Sequence, residues 1–310
     1  MSAPAAIRNY PNLSLVYDRQ VARTPSYETS LVKRMTDVSP AEMEILERHA
    51  VQILKLVGNE LDEYCDDYQW ICEIVLQEEL EFRRNGRYRL SSFQEAYEQV
   101  YSNAELMRHY MNGLLMTQLW WSNHTNVFDY FEKSFIPRLK QGYRHLEIGT
   151  GHGMYMFPPA LDPRCGSLTA WDISEQSASA TIESLRRIGV TNVNVVLQDM
   201  FAADPAKVGN FDSIVFSEVL EHLEKPNDAL KQLRNVLSDE GFLFVHMPVN
   251  SPAPDHIFLL RSPEAVVDFV KEHGFEVVDT RFEPQTGMTL EAARAKNKTI
   301  SAALIARKSR

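Results

Sequence analysis

Apolar positions along the chain fall into two textures. From Ser39 to about Leu139 they recur at helical spacing, whereas from Tyr143 onward short apolar runs alternate with amphipathic stretches. In the first part Met43, Leu46, Ala50, Ile53, Leu54 and Val57 line one face. Ser39, Pro40 and Glu42 stand before them as a cap, a proline at the first helical position and a capping-box acid. Ser91-Ser92-Phe93-Gln94 predicts a second helix start of the same kind. The stretch from Tyr110 to His124 is apolar nearly all round and predicts one buried helix. Within it Tyr110, Gln118, Trp121, Asn123 and His124 carry polar atoms that must each find a partner. Residues 1–35 show no clear periodicity, and an extended arm or short helices are expected there.

The second part reads as strands near 143–148, 167–172, 193–198, 211–216, 241–247, 275–282 and 300–307, with helices near 154–161, 174–188, 226–237 and 262–273. Ser262-Pro263-Glu264 starts the last of these helices and His273-Gly274 closes it. The final two strands are expected to pair antiparallel, with a short helix around 289–296 between them. Strands alternating with helices make the fold class α/β. The organisation expected is a helical region over 1–140 and a sheet domain over 141–310. No Gly/Ser-rich or Pro-rich linker falls near residue 140, so the helical region should pack on the sheet as a lid.

Four short signals follow in order along the sheet domain. They are His145-Leu146-Glu147-Ile148-Gly149-Thr150-Gly151-His152-Gly153, Ala170-Trp171-Asp172, Gln198-Asp199-Met200, and Phe211-Asp212 with Glu218-Val219-Leu220-Glu221-His222. An apolar strand running into Gly149, Gly151 and Gly153 lets the backbone turn sharply and approach a ligand closely. Asp172 lies about 20 residues on, where a ribose hydroxyl pair needs acceptor oxygens. The glycines do not follow the G-x-G-x-x-G spacing of dinucleotide sites, and no Lys-Ser/Thr pair follows them. No basic residue stands between Gly149 and Pro163, so the loop suits a ligand without phosphate.

With these motifs in this order, the chain resembles the class I S-adenosylmethionine (SAM) dependent methyltransferases over roughly Tyr143 to Arg307. The resemblance implies a seven-stranded Rossmann-like sheet with helices on both faces and SAM across the carboxyl ends of its first four strands. It implies that Glu147 orders the loop near the methionine end of SAM, that Asp172 holds the ribose, and that Asp199 accepts from the adenine amino group. Met200 and Phe201 would flank the ring, and Ile173 would cover its other face or merely pack at a strand end. Ser217 and Glu218 follow the fourth strand, where ligand and acceptor meet. Glu218 is a candidate for lining the transfer site, and His222 is either a base or a structural histidine. His256 is a candidate base assisted by Asp255, unless the pair caps its turn and touches the lid. Asn123 and His124, in the apolar helix, are candidates for the ceiling of the substrate pocket.

Composition narrows the classes further. A net charge of −10 and a pI near 5.4 argue against a nucleic-acid partner. Cys65, Cys72 and Cys165 form no C-x-x-C pair, which suits reduced thiols in a cytoplasmic protein. No signal peptide and no membrane span are read from the sequence. No metal-spaced cluster stands out, so no metal is expected. The leading expectation is a SAM-dependent methyltransferase acting on a small-molecule acceptor, as in secondary metabolism. Two alternatives stay open. One is an enzyme that cyclises SAM itself and releases methylthioadenosine, with Asn123 or Tyr155 clamping the amino acid end. The other is a non-catalytic SAM-binding regulatory protein. A homodimer is expected, the apolar helix near Leu114 serving either closure over its own sheet or exchange with a second subunit.

Overall fold

A computed structural model describes residues 5–36 and 38–310. Seven strands, β1 Tyr143–Ile148, β2 Cys165–Asp172, β3 Asn194–Leu197, β4 Phe211–Ser217, β5 Leu237–Val249, β6 Phe275–Pro284 and β7 Ile300–Lys308, form one sheet. Their order is β3-β2-β1-β4-β5-β7-β6, with β7 antiparallel to both neighbours and the other pairs parallel. Strand order reverses at β1, which opens a cleft beyond the carboxyl ends of β1 and β4. β5 begins earlier than its sequence pattern suggests because Leu237 already pairs with Phe211, ahead of a bulge that resets the register to Ser213 and Phe242.

Thirteen helices surround the sheet among the described residues. The helical region supplies α1 Pro11–Arg23, α2 Glu28–Met35, α3 Pro40–Val57, α4 Leu61–Asn85, α5 Phe93–Ala96, α6 Ala104–Trp120 and α7 Ser122–Tyr130. Between strands lie α8 Phe157–Leu161, α9 Glu175–Arg187, α10 Pro205–Val208, α11 Pro226–Val236, α12 Pro263–Glu272 and α13 Leu290–Ala295. None of these is long and apolar enough to cross a membrane.

One sequence expectation is resolved here and two change. Of the extended arm or short helices expected over 1–35, the helices α1 and α2 are found, residues 1–4 lying outside the described residues. α1 buries Leu13, Val16, Tyr17 and Gln20 on one face. Its own cap residue, Tyr10, offers no side-chain acceptor, so the Glu47 carboxylate from α3 receives the Asn12 and Leu13 amides at 3.2 and 2.8 Å. The start of α5 is shifted by one residue: Ser92 is the cap and Glu95 completes the capping box. The helix expected through His124 breaks at Trp121, whose backbone is extended (φ −105°, ψ 113°). Thr125 Oγ1 donates to the Gln118 carbonyl at 2.8 Å and so satisfies one carbonyl freed by the break. α7 then lies along β6 and β7, with Asn123 Nδ2 donating to Ser301 Oγ at 3.0 Å and Asn126 Nδ2 to Glu283 Oε2 at 2.9 Å.

Period-two alternation in the strands divides the core. Val215, Phe244, Ala303 and Ile305 point to the helical region, in one continuous cluster that reaches back to Ile7. Ile214, Phe216, Leu243, Val245 and Leu304 point the other way, to α11 and α12. The helical region therefore shares its core with one face of the sheet. Within it α6 crosses α4 at Gly113, where a Cβ would stand 2.7 Å from the Asp67 carbonyl oxygen and 2.9 Å from Ile71 Cβ. Gly113→Ala is expected to destabilise the fold by about 1–3 kcal/mol through overpacking against backbone. A lower thermal unfolding midpoint checks this, and an unchanged midpoint would mean that the helix pair can separate freely.

Candidate active site

A cavity of about 940 Å³ opens between the carboxyl ends of the first strands and the lid. That lies near the top of the roughly 300–1,000 Å³ usual for ligand pockets, room for a nucleoside and a second molecule. The lid side is built from Phe93, Tyr97, Tyr101, Tyr110, Met111 and Leu114. Seven carboxyl groups line the walls (Glu147, Asp172, Glu175, Asp199, Glu218, Glu224 and Asp255) against one lysine, Lys225. Such a wall disfavours a phosphate-rich ligand and favours a cationic one.

One end is shaped by the glycine loop. Gly149 and Gly151 have φ of 71° and 50°, conformations that residues with a Cβ rarely adopt. A Cβ on Gly149 would meet Val219 Cγ2 at 2.8 Å, and one on Gly151 would meet Met111 Sδ from α6 at 3.2 Å. Gly153 also has positive φ and packs toward Ser184 of α9. Glu147 is buried at the end of β1, and its Oε2 has no hydrogen-bond partner among the described residues. Burial, with the charge of Asp172 beside it, pushes the Glu147 carboxyl well above the usual range. Asp172 is also buried, and its Oδ1 accepts the Ser174 amide at 2.9 Å. Asp199 Oδ1 accepts the Phe201 amide at 2.9 Å, which fixes the turn carrying Met200. Ile173, Leu197 and Phe201 are 55, 54 and 43 % exposed, yet all three line the cavity. Large apolar groups left open around two carboxylates suit a flat heteroaromatic ring.

At the other end Glu218 has φ of 55°, strained for a residue with a Cβ, and its amide donates to the His246 carbonyl at 2.8 Å. His246 bridges the site: Nδ1 is 3.1 Å from Ser217 Oγ and Nε2 is 2.9 Å from Glu218 Oε1. Burial raises the Glu218 carboxyl, but the imidazoles of His246, His124 and His256 outweigh it and hold the group low. His124 Nδ1 is 2.7 Å from Thr117 Oγ1, which spends its own proton on the Leu114 carbonyl at 2.6 Å. Nδ1 of His124 therefore carries the hydrogen and Nε2 is the bare acceptor. Burial brings His124 down to about 4, so the ring is neutral at pH 7.

The lid is tied to the β5 loop by Asp255. Its carboxylate accepts from Tyr110 Oη at 2.9 Å and Tyr101 Oη at 3.1 Å. Burial, reinforced by the Asp255 charge, lifts both phenols well above their usual value, so both stay donors. Tyr101 closes a π-helical turn over Tyr97–Tyr101. His222 and His256 line the cavity behind these tyrosines, their rings 4.8 Å apart.

The structure thus gathers His256, Glu218, His124, Glu147, Gly149, Gly151, Asp172, Ile173, Asp199, Met200 and Ser217 around one cavity. Asn123 and Gly153 are not among its lining residues: Gly153 faces Ser184 and Thr181 of α9, and the Asn123 amide is consumed by Ser301, because the break at Trp121 turns α7 toward the sheet. Of the two readings of Asp255, the contact with the lid is the one seen, since its carboxylate holds the lid tyrosines and lies 3.4 Å from His222 Nδ1. His256 Nδ1 instead meets the Ser251 carbonyl at 2.6 Å, and burial brings this ring down to about 4. His246 and Met111 were not singled out from the sequence, because both resemble ordinary core positions within their own elements.

The residues present fit an adenosyl sulfonium. The glycines clear backbone space, the acids meet hydroxyls and cationic ends, and the buried Glu147 oxygen lacks a partner. Residues 146–243 match a family described as a methyltransferase domain. A protein-L-isoaspartate O-methyltransferase of Rhodopseudomonas palustris (strain BisB5) is 30% identical over 155 residues, 50% of this chain and 64% of that protein. N-methyltransferase 4 of Papaver somniferum is 25% identical over 138 residues, 44% of this chain and 39% of that protein. The chain therefore spans less than two thirds of the length of these curated relatives. Among solved structures, an O-methyltransferase from neocarzinostatin biosynthesis, in complex with SAM and 2-hydroxy-5-methyl naphthoic acid, superposes with a TM-score of 0.53 at 16% identity. That likeness covers 81% of this chain and 74% of the other, and it speaks for the fold. With the glycine loop, the strand-end acids and the strand order all falling within or around the matched residues, residues 146–243 form the core of a SAM-dependent methyltransferase domain, whose cofactor is SAM.

Proposed function

We propose that this protein transfers the methyl group of SAM to an oxygen, nitrogen or carbon nucleophile of a small molecule with an aromatic or apolar body, as in secondary metabolism. The observation that carries this reading is the single cavity, in which the glycine loop, Asp172 and Asp199 face one end and the tyrosine-lined lid and His124 face the other. SAM supplies an electrophilic methyl carbon when bound. Gly149 and Gly151 give its backbone-hugging path, Asp172 takes the ribose, and Asp199 with Ile173, Met200 and Phe201 takes the adenine. Glu147 and Ser217 lie toward its methionine end. Phe93, Tyr97, Tyr101 and Tyr110 enclose the acceptor and exclude water, a positioning role that can supply several kcal/mol. His124, neutral and with Nε2 bare, is the group on this wall suited to take a proton from the acceptor. An aromatic acceptor agrees with the naphthoic acid held by the like-folded O-methyltransferase.

Acceptor-dependent release of S-adenosylhomocysteine (SAH) from SAM tests the reading. Turnover without any acceptor, with methylthioadenosine as product, would replace it by intramolecular cyclisation. Binding without turnover on any acceptor would replace it by a silent SAM binder. Once an acceptor is in hand, His124→Gln is expected to lower kcat about 10²-fold while SAH affinity stays within about two-fold. An unchanged kcat would remove His124 from proton transfer.

A further inference from the structure

Glu221 is fully buried, and neither carboxylate oxygen has a hydrogen-bond partner among the described residues. Its Oε1 stands 4.0 Å from His222 Nε2 and 4.0 Å from His256 Nε2. One ligand atom from each of the three residues lies within 4.8 Å of the other two. We propose that Glu221, His222 and His256 form a binding site for a divalent transition-metal ion of the zinc class, at the acceptor end of the cavity.

The geometry around the three donors supports this. With two sides of the triangle at 4.0 Å and the third within 4.8 Å, each donor sits roughly 2.3–2.5 Å from its centre, within a few tenths of an ångström of the ~2.0–2.2 Å typical of zinc with imidazole or carboxylate. Both imidazoles are oriented by a contact at the other ring nitrogen, as metal-bound histidines are. His256 Nδ1 faces the Ser251 carbonyl at 2.6 Å, and His222 Nδ1 faces the Asp255 carbonyl at 3.2 Å. Each Nε2 is then the bare lone pair, turned to the same carboxylate. The backbone holds the set together, since the Glu221 carbonyl accepts the amides of Ile257 and Phe258 at 2.8 and 2.9 Å. His222 and His256 both line the cavity, so a bound ion has open positions on the acceptor side, as catalytic zinc sites do.

The other cluster of suitable residues, His49, Asp129 and Glu132, differs in kind. Arg48 already stands between its two carboxylates as the cation, and Gln52 donates to Glu132 at 2.6 Å. Among the described residues no arginine or lysine pairs with Glu221.

The test is equilibrium dialysis of the purified full-length protein against zinc(II) alone, with metal content read per chain. The wild type is expected to retain one ion. Glu221→Gln, which keeps the shape of the side chain, is expected to weaken retention by more than about 100-fold, with His222→Gln as a second variant. His273→Asn, a change far from the cavity, is expected to retain the ion. Failure of the wild type to bind zinc stoichiometrically, or equal binding by Glu221→Gln, would overturn the assignment. SAH titration of the same samples reports on the cofactor end separately, so loss of metal binding and failure of the transferase reading are distinguishable.

Discussion

Asp172→Ala is expected to weaken SAH binding by about 100-fold or more, which would make it the largest effect at the cofactor end. A buried carboxylate receiving two hydroxyl donors contributes about 1.5–3 kcal/mol per charge-assisted bond, and alanine removes both. Asp172 stands at the carboxyl end of β2, next to the switch point of the sheet, and already orients the following turn through Ser174. Asn in its place retains the acceptor for Ser174 but loses the charge, so Asp172→Asn should fall between wild type and alanine. Calorimetric titration with SAH measures both variants, and unfolding curves show that each remains folded. Equal affinity in wild type and Asp172→Ala would mean that the ribose is held elsewhere.

The second large effect is on the lid. Asp255→Ala is expected to lower the unfolding free energy by about 2–4 kcal/mol and to impair turnover. Alanine leaves the buried hydroxyl of Tyr110 without its acceptor, at about 1–3 kcal/mol for an unsatisfied group, and removes one of the two partners of the half-buried Tyr101, whose hydroxyl keeps His222 Nδ1 at 3.2 Å. A double-mutant cycle isolates the contact. Tyr110→Phe should destabilise the wild type but cost little, or even stabilise, in the Asp255→Ala background. Additive losses would show that the tyrosine and the aspartate act independently.

Much of this site was legible in the sequence where the signal is local. An apolar strand that runs into glycines with a forced turn needs only neighbouring residues, and so does an acid that caps the turn after its strand. Gly149, Gly151, Asp172 and Asp199 were found that way, and the cavity gathers all four. The rest depends on contacts between distant positions. The break at Trp121 is set by α7 docking on β7, where Asn123 meets Ser301 178 positions away. α1 is capped from another helix by Glu47, so its start carries no capping residue of its own. His246 faces Glu218 because the β4/β5 register pairs Ser217 with His246. Asp255 was read either as a helper for its neighbour His256 or as a contact to the lid, and which lid residues it meets, tyrosines 145 and 154 positions earlier, was not legible. Glu221 and His256 meet because two amides after His256 bond to the Glu221 carbonyl, and no spacing rule covers such a pair.

The most direct measurement is mass spectrometry of the purified protein incubated with SAM deuterated in its methyl group, with and without a panel of small phenols, aromatic acids and amines. A heat-killed sample serves as control. The account predicts that SAH and a product carrying the intact deuterated methyl group form together, only when an acceptor is present. Methylthioadenosine accumulating without acceptor, or SAM left intact beside every acceptor, would contradict it.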